Sequence, residues 1–307
     1  MKKRAQPSRH RGWMAMLSLL AWLARQPRWL LGLGAALGWV VWALKLKRRR
    51  IVEINLALAF PELDAGARAE LTRSNLISTG RGLAELLIAW RTPAERLPSA
   101  HIVGLEYITA ARASGRGVLL LTAHSHPIEL GVRLLKEALA LPVHALAREH
   151  NSASLQAFID AGRRAHFGPT YLKKEVRQML LALKGGALVA YAPDQNFNTQ
   201  SAFLPFFGVP AATLISWPKM LKSTHAVALT LFSARTEQGY LLEIGPALPG
   251  CPSADPIADA RVYLERLEAF VRRFPAQYLW AHRRFKKQPP GSAFNIEYPA
   301  RARRQTR

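Results

Sequence analysis

The sequence is poor in cysteine and in acidic residues. Among its 307 residues Cys251 is the single cysteine, which excludes a disulfide scaffold and a cysteine-based zinc site. Aspartates and glutamates number 20 against 43 lysines and arginines, so the formal net charge is +23. Half of the residues are hydrophobic, an apolar share too large for a disordered chain. The length suits one large domain or two small ones.

The positive charge is concentrated at the two ends of the chain. Residues 1–50 contain twelve lysines and arginines and no acidic residue, whereas residues 283–307 contain eight basic residues and one acid, Glu297. The sequence between these ends is close to neutral. Basic ends of this kind favour a polyanionic partner, which is either a nucleic acid or an anionic membrane surface.

The amino-terminal region has no uninterrupted apolar run long enough to cross a bilayer. Residues 13–24 and 29–44 are apolar, but Arg25, Pro27 and Arg28 lie in or next to the break between them. Sixteen helical residues reach roughly 24 Å, against a hydrocarbon core of ~30 Å. Basic clusters flank both sides, so no direction of crossing is favoured. We therefore expect a shallow helical pair in the membrane interface; a signal peptide and a buried soluble hairpin are the alternatives.

From residue 102 onward, short apolar runs rich in β-formers alternate with helical patterns. Strands are predicted at 117–122, 143–147, 170–172 and 187–191, with helices between them. This alternation predicts an α/β fold, in which a mixed central sheet is covered by helices.

The distribution of charge and of apolar residues divides the chain into three regions. Residues 1–50 form the apolar and basic membrane-anchoring segment, residues 51–290 the α/β domain, and residues 291–307 a basic tail that we expect to be disordered.

The sequence contains three His-x4-Glu matches, and their context separates them. His101 and His144 fall in or near predicted strands, where an offset of five residues points the two side chains to opposite faces. His124 instead follows the apolar strand 117–122, and Glu129 lies in the first turns of the next helix. The intervening turn can bring the carboxylate back to the imidazole.

A histidine held by a carboxylate can act as a general base. The pair His124 and Glu129 is therefore our candidate catalytic pair, at the strand end where α/β sheets place ligands. A structural helix-capping pair remains the alternative from the residues alone. Neither a serine nor a cysteine nucleophile is indicated, because G-x-S-x-G is missing and Cys251 lies in a Gly-Pro turn.

Four further residues are candidates for substrate binding or oxyanion stabilisation. Arg148 ends a predicted strand near the candidate base, and Arg163 and Arg164 close the following helix. Arginines suit phosphate binding or a developing oxyanion, although a solvated helix end also favours cations. Asp194 follows a buried strand in a Pro-Asp-Gln turn, where it would orient Arg163 or Arg164 or only cap the turn.

The basic run at residues 282–287 (HRRFKK) is a further candidate binding surface. It would attract an acidic protein or an anionic lipid, and a solvated tail is the alternative reading.

Several ordered segments together resemble the late acyltransferases of lipid A biosynthesis, the lauroyl and myristoyl transferase family. These segments are VEINLALAFPE (52–62), GLEYI (104–108), His124-x4-Glu129, YAPDQ (191–195), FLPFFG (203–208) with PAAT (210–213), and YLWAHRRF (278–285). The resemblance extends from about residue 13 to residue 291. Within the His-x4-Glu motif this chain has His126-Pro127 where the family more usually has aromatic or aliphatic residues.

The resemblance implies a membrane-associated enzyme that moves an acyl chain from acyl carrier protein to a hydroxyl of a lipid A precursor. It further implies His124 as the base with Glu129 as its partner, no metal and no bound cofactor. The enzyme would work at the cytoplasmic face of the inner membrane, with acyl carrier protein and anionic lipid as partners and no nucleic acid.

Two other functions are compatible with the residues. The same chemistry could act on a lysophospholipid or a glycolipid. A non-catalytic basic protein that binds membrane or nucleic acid is the third possibility, but the aromatic residues are concentrated in the apolar amino-terminal segment rather than among basic residues.

Overall fold

The computed structural model describes residues 22–23, 26–147, 152–196 and 200–299. The helices are α1 (Pro27–Ala43), α2 (Lys47–Ala59), α3 (Ala65–Arg91), α4 (Leu105–Ala113), α5 (Ile128–Leu139), α6 (Ala153–His166), α7 (Val176–Lys184), α8 (Trp217–Thr224) and α9 (Pro256–Arg273). The strands are β1 (Ala100–Val103), β2 (Val118–Leu121), β3 (Val143–Ala147), β4 (Thr170–Leu172), β5 (Leu188–Tyr191), β6 (Ser201–Phe206), β7 (Val209–Leu214), β8 (Val227–Thr236) and β9 (Gly239–Ile244). Short 3₁₀ turns occupy Ala94–Arg96, Lys173–Glu175 and Pro275–Gln277.

Seven of these strands form one sheet in the order β1-β9-β8-β2-β5-β3-β4. All neighbours are parallel except β8 and β9, which are antiparallel. The predicted mixed sheet covered by helices is therefore confirmed. Strands β2 and β5 lie side by side in its interior, and their carboxyl ends point to the same edge.

Strand β2 shows how the helices cover both faces of the sheet. Its four residues are fully buried, and alternate side chains belong to different cores because strand side chains alternate in direction. Val118 and Leu120 pack in a core that also contains residues of α3, α4 and α5. Leu119 and Leu121 pack in a core built with α2, α7, α8 and α9.

Strands β6 and β7 form a separate antiparallel hairpin that the sequence analysis missed. The helix that follows this hairpin, α8, begins only at Trp217, because Thr213 is still part of β7. Pro205 and Pro210 face each other across the hairpin. Proline is tolerated there because both strands of a two-stranded ribbon are edges, but it weakens the sequence signal for a strand.

Helix α1 packs against α3 at backbone distance. A Cβ placed on Gly80 would lie 2.0 Å from the Gly34 carbonyl oxygen, and one placed on Gly38 would lie 2.2 Å from that of Leu76. Leu30, on the same side of α1, is buried in the core formed with α3 and α5. The first apolar helix described is thus part of the globular fold and not a separate appendage.

The opposite side of α1 is apolar and exposed. The side chains of Trp29 and Leu33 are 75% and 55% exposed, and Leu37 and Trp39 are each 50% exposed. Among the described residues no single helix has the length and hydropathy of a membrane span, whereas α1 and α2 pass that test only as a pair bent by 85°.

Both predicted region boundaries fall inside packed structure. Helix α2 runs from Lys47 through residue 50 into the core, where Val52 and Leu56 are fully buried. At the other end, the Tyr298 hydroxyl donates a hydrogen bond to Asn55, and Ile296 packs against the core. Residues 291–299 of the predicted tail therefore contact the α/β domain through these two side chains; residues 1–21, 24–25 and 300–307 lie outside the described residues.

The glycine contact predicts a selective sensitivity to a single methyl group. Gly80→Ala should separate α1 from α3 and lower the free energy of unfolding by about 1–3 kcal/mol, because backbone atoms oppose the new methyl. Gly32→Ala in α1 is the matched control, since a Cβ there meets nothing within 4 Å. Thermal unfolding of both variants measures the difference. Equal melting temperatures would show that the helices are not packed this closely.

Candidate active site

The candidate site lies at the carboxyl edge of the two central parallel strands. His124 follows β2 by three residues, and Asp194 follows β5 by three residues. Because β2 and β5 pair directly, with Leu121 opposite Tyr191, the two segments leave the sheet side by side. Ligands of open α/β sheets bind in such crevices outside the carboxyl ends of strands.

His124 and Asp194 form a hydrogen-bonded pair. The distance from His124 Nδ1 to Asp194 Oδ1 is 2.6 Å, and the backbone N–H of His124 donates to Asp194 Oδ2 at 3.0 Å. Asp194 is 1% exposed, whereas 32% of the His124 side chain is accessible. The carboxylate is therefore enclosed by protein, while the imidazole can be approached from the crevice.

The pair is electrostatically coupled. Burial alone would raise the pKa of Asp194, but the charge and hydrogen bonds of His124, together with the Arg284 guanidinium, hold that pKa at about 2. Burial also opposes protonation of His124, yet the Asp194 carboxylate outweighs it and raises the pKa of the imidazole. An ionised Asp194 only accepts hydrogen bonds, so the neutral imidazole carries its proton on Nδ1. The lone pair is then on Nε2, which is the arrangement of a general base.

The carboxyl-terminal segment, residues 274–299 after α9, contributes two buried side chains to the surroundings of Asp194. The Tyr278 hydroxyl donates to Asp194 Oδ2 at 3.0 Å. Arg284 is 1% exposed and donates to the Ala212 carbonyl and to the Thr213 hydroxyl on β7. Arg284 is thus an internal charge, so neither alternative for the basic run 282–287, a binding surface or a solvated tail, applies to this residue.

Two buried asparagines hold this carboxyl-terminal segment in place. The Asn55 amide of α2 donates to the carbonyls of Trp280 and His282, and the Asn75 amide of α3 donates to those of Ala276 and Tyr278. Both asparagines are fully buried. Their hydrogen bonds therefore satisfy backbone carbonyls that have no partner in a sheet or helix.

Glu129 has other partners than the sequence analysis predicted. Its carboxylate accepts hydrogen bonds from Trp90 Nε1, at 2.9 Å, and from the Arg163 guanidinium. The imidazole of His124 is held by Asp194 instead. The alternative in which Asp194 orients Arg163 is wrong, because Arg163 pairs with Glu129 while Asp194 accepts hydrogen bonds from His124 and Tyr278. The roles of these residues in catalysis stay predictions.

A cavity of about 570 Å³ lies beside the Arg163–Glu129 pair. Its wall combines charged side chains with apolar ones. The lining includes Asp160, Arg163, Arg164, Phe167, Leu172 and Glu175. Arg164 is exposed, while 13% of the Arg163 side chain is accessible. Arg148 lies outside the described residues, so the structure does not place it.

The remaining candidates lie away from this pair. His101 is on β1 at the far edge of the sheet, and His144 on β3 contacts the Tyr171 hydroxyl at 3.0 Å. Burial and the nearby Asp259 raise the pKa of Cys251 to about 12, which makes it a poor nucleophile. Within residues 22–23, 26–147, 152–196 and 200–299, no group of three or more His, Cys, Asp or Glu residues could hold a metal ion.

Comparison with known proteins gives extensive matches to one family. The family model for bacterial lipid A biosynthesis acyltransferases matches residues 1–287. The chain is 31% identical over 291 residues to the lipid A biosynthesis lauroyltransferase of Escherichia coli K12, an alignment that covers 92% of this chain and 94% of the relative. It is 30% identical over 287 residues to the palmitoleoyltransferase of the same organism, covering 92% of each chain. The myristoyltransferase of that organism is 24% identical over 284 residues, covering 91% of this chain and 88% of the relative.

A match of this extent defines an acyltransferase. The chain belongs to the bacterial lipid A biosynthesis acyltransferase family, and the resemblance noted from its sequence segments is confirmed.

The geometry predicts different consequences for the two carboxylates of the site. Asp194→Asn should lower turnover by roughly 10²–10⁴-fold, because the imidazole loses the group that fixes its tautomer. In the native enzyme the rate should fall as the pH drops through the raised pKa of His124. Without the Asp194 charge, burial should lower that pKa, so the acidic limb of the residual activity should move to lower pH.

Glu129→Gln is the matched comparison for Asp194→Asn. It should reduce activity through Arg163 while leaving the acidic limb where it is in the native enzyme. The measurement is the pH–rate profile of acyl transfer for all three proteins. An acidic limb that moves in Glu129→Gln and not in Asp194→Asn would contradict the assigned pairing.

Proposed function

We propose that this protein transfers a fatty acyl chain from acyl carrier protein to a hydroxyl group of a lipid A precursor. The family and the acyltransferase class support the reaction type. The observation that carries the mechanism is the 2.6 Å contact between His124 and a buried, ionised Asp194 at the sheet edge. The mechanism therefore differs from a His124–Glu129 dyad in the carboxylate that supports the base.

The proposed reaction is a direct attack without an acyl-enzyme. His124 Nε2 removes the proton of the acceptor hydroxyl, whose oxygen attacks the carbonyl carbon of the acyl thioester. The C–O bond forms, the tetrahedral oxyanion collapses, and the C–S bond breaks. The departing thiolate takes the proton from the imidazolium, so the products are an ester and a free thiol. The reaction as written uses no metal and no bound cofactor.

Arginines near the 570 Å³ cavity are proposed to hold an anionic group of the acceptor. Arg163 is fixed by Glu129, so its planar guanidinium is already oriented before substrate binds. Arg164 faces the same cavity and is exposed. Lipid A precursors carry phosphate groups, for which such a pair is suited. Arg148 remains a sequence-based candidate for oxyanion stabilisation.

Product analysis tests the proposed reaction. The purified protein, supplied with acyl carrier protein loaded with a defined acyl chain, should acylate a phosphorylated lipid A precursor and release the free thiol of the carrier. His124→Ala should lower turnover by roughly 10²–10⁴-fold, because general-base catalysis is lost. His101→Ala is the matched control and should retain the native rate. Mass spectrometry identifies the product; acylation of lysophospholipids or glycolipids in preference to the lipid A precursor would contradict the proposed acceptor.

We further propose that α1 lies in the cytoplasmic leaflet of the inner membrane. Its exposed face carries Trp29, Leu33 and Leu37. Helix α3, against which α1 packs, has a further exposed apolar side chain, Leu83, which is 52% exposed. Burying these apolar side chains in the membrane interface stabilises attachment, and the tryptophan ring suits the depth of the lipid headgroups.

The basic block after α1 contributes less to lipid binding than its composition indicates. Arg48 donates to the Ala281 carbonyl, and Arg49 pairs with Glu53 at 2.8 Å. Lys45 and Lys47 are exposed, and no ion pair involving them is seen within the described residues. Each basic residue at an anionic surface contributes ~1 kcal/mol. Electrostatic attraction is therefore secondary to apolar insertion.

Membrane attachment can be tested without disturbing the core. The triple variant Trp29→Ser, Leu33→Ser, Leu37→Ser should bind anionic vesicles more weakly and be released more readily by high salt, because electrostatic attraction then supplies a larger share of its attachment. Its melting temperature in detergent should not change, since these side chains face outward. The control variant Leu181→Ser, Phe203→Ser removes apolar side chains that are 62% and 42% exposed elsewhere. Equal vesicle binding by the triple variant and the native protein would contradict the proposal.

A further inference from the structure

His126 lies two residues after the candidate base and is almost completely buried. Its side chain reaches α3, where both ring nitrogens meet hydroxyl groups. The distance from Nδ1 to the Ser78 hydroxyl is 2.7 Å, and that from Nε2 to the Thr79 hydroxyl is 3.0 Å. The proposed reaction does not use this second histidine.

The hydrogen bonds of the two hydroxyls determine the tautomer of His126. The Thr79 hydroxyl already donates to the Asn75 carbonyl, so its oxygen must accept a hydrogen bond from the imidazole. His126 therefore carries its proton on Nε2. Its Nδ1 is then an acceptor, and the Ser78 hydroxyl donates to it. The Ser78 oxygen accepts in turn from Arg235 Nη1 at 3.3 Å. In this arrangement both nitrogens of the neutral ring are satisfied.

The charges around His126 keep it neutral. Burial, with a further contribution from the Arg235 guanidinium, lowers the pKa of His126 to about 3. Arg235 is itself held by a bidentate contact with Glu85 at 2.7 and 2.8 Å, and the Tyr240 hydroxyl donates to the same carboxylate. His126 therefore makes the same hydrogen bonds throughout the pH range in which His124 changes protonation.

The backbone of the loop that carries both histidines is fixed by the carboxyl-terminal segment. The His126 N–H donates to the Gln277 carbonyl at 2.8 Å, and the Leu279 N–H donates to the His124 carbonyl at 3.0 Å. The Gln277 side chain makes two hydrogen bonds with the backbone of Arg235. A Cβ on Gly82 would lie 2.9 Å from the His126 Cβ, so α3 approaches the loop closely. His126 is the side-chain link between this loop and α3.

We propose that His126 is a positioning residue that, through Ser78 and Thr79, anchors the loop and sets the geometry of the His124–Asp194 pair. This inference rests on the proposed function, since it takes His124 as the base. A displacement of the base by about 1 Å can cost 10²-fold in rate, so the anchoring has kinetic consequences.

Two substitutions at position 126 separate hydrogen bonding from packing. His126→Leu removes both hydrogen bonds, whereas the carboxamide of His126→Gln can accept from Ser78 and donate to Thr79. The leucine variant should lose roughly 10- to 10²-fold in kcat, with KM unchanged, and the glutamine variant should recover most of the loss. Thr79→Val removes one hydroxyl and keeps the volume. It should also lower kcat, but by a smaller factor than His126→Leu.

NMR of the ¹⁵N-histidine-labelled enzyme in detergent provides a readout that does not need the substrate. Asp194 raises the pKa of His124, and the Arg284 guanidinium lowers it. His282 lies close enough to interact with both His124 and Asp194, and Tyr278 is hydrogen-bonded to Asp194. A loosened loop weakens the contact with Asp194. The pKa of His124 should therefore fall in His126→Leu and stay at the native value in His126→Gln.

His144→Gln is the matched control, because His144 is also hydrogen-bonded to a hydroxyl but lies on another strand. It should leave kcat and the His124 titration unchanged. A His126→Leu enzyme with native kcat and native His124 titration would overturn the inference, as would a glutamine variant as impaired as the leucine variant. If the native enzyme forms no ester with the lipid A precursor, the proposed function fails, while the NMR titration still decides whether His126 positions His124.

Discussion

The buried carboxylate of Asp194 is the constraint on which the site depends. An ionised group removed from water is stable only if hydrogen bonds and opposite charge replace its hydration. Here the donors come from the loop after β2, through His124, and from the carboxyl-terminal segment, through Tyr278. Arg284 supplies a buried positive charge from the same segment. The central sheet edge and the carboxyl-terminal segment must therefore come together at one place for Asp194 to be ionised.

The two acidic residues of the site thus have separate surroundings. Asp194 is enclosed and tied to the imidazole, whereas Glu129 connects the start of α5 to Arg163 on α6 and to Trp90 on α3. In the proposed reaction the first carboxylate supports the base and the second orients an arginine toward the cavity. In this proposal His124 and Glu129 of the His-x4-Glu motif both serve the reaction, although their side chains are held by different partners.

Helix α1 belongs to the fold and is also the element of the proposed membrane attachment. The glycines on one side of this helix allow backbone contact with α3, which also supplies Ser78 and Thr79 to the loop of the site. The large apolar side chains on the other side are exposed, and in the proposed attachment they enter the lipid. A single helix, α3, therefore contacts both α1 and the loop that carries the candidate base.

Local patterns in the sequence predicted the sheet well and the contacts of the site less well. The apolar runs at β2 and β5 were recognised because strands buried on both faces contain few polar residues. The partly buried strands β3 and β4 were recognised as short runs rich in β-formers between helical patterns. The edge position of Asp194 followed from its place after β5. Its pairing with His124, seventy residues away, could not be read from spacing, because it depends on which strands are neighbours. The hairpin β6–β7 was missed because its prolines resemble turn signals, and the packing of α1 because small residues in an apolar run also fit a lipid-exposed helix.

The central claim is that the His124 imidazole donates its Nδ1 proton to Asp194. Proton NMR of the detergent-solubilised enzyme, labelled with ¹⁵N-histidine, observes that proton directly, because a short hydrogen bond to a carboxylate shifts its resonance downfield. This resonance should be present in the native enzyme and in Glu129→Gln and absent in Asp194→Asn. A resonance that survives in Asp194→Asn and disappears in Glu129→Gln would contradict this claim.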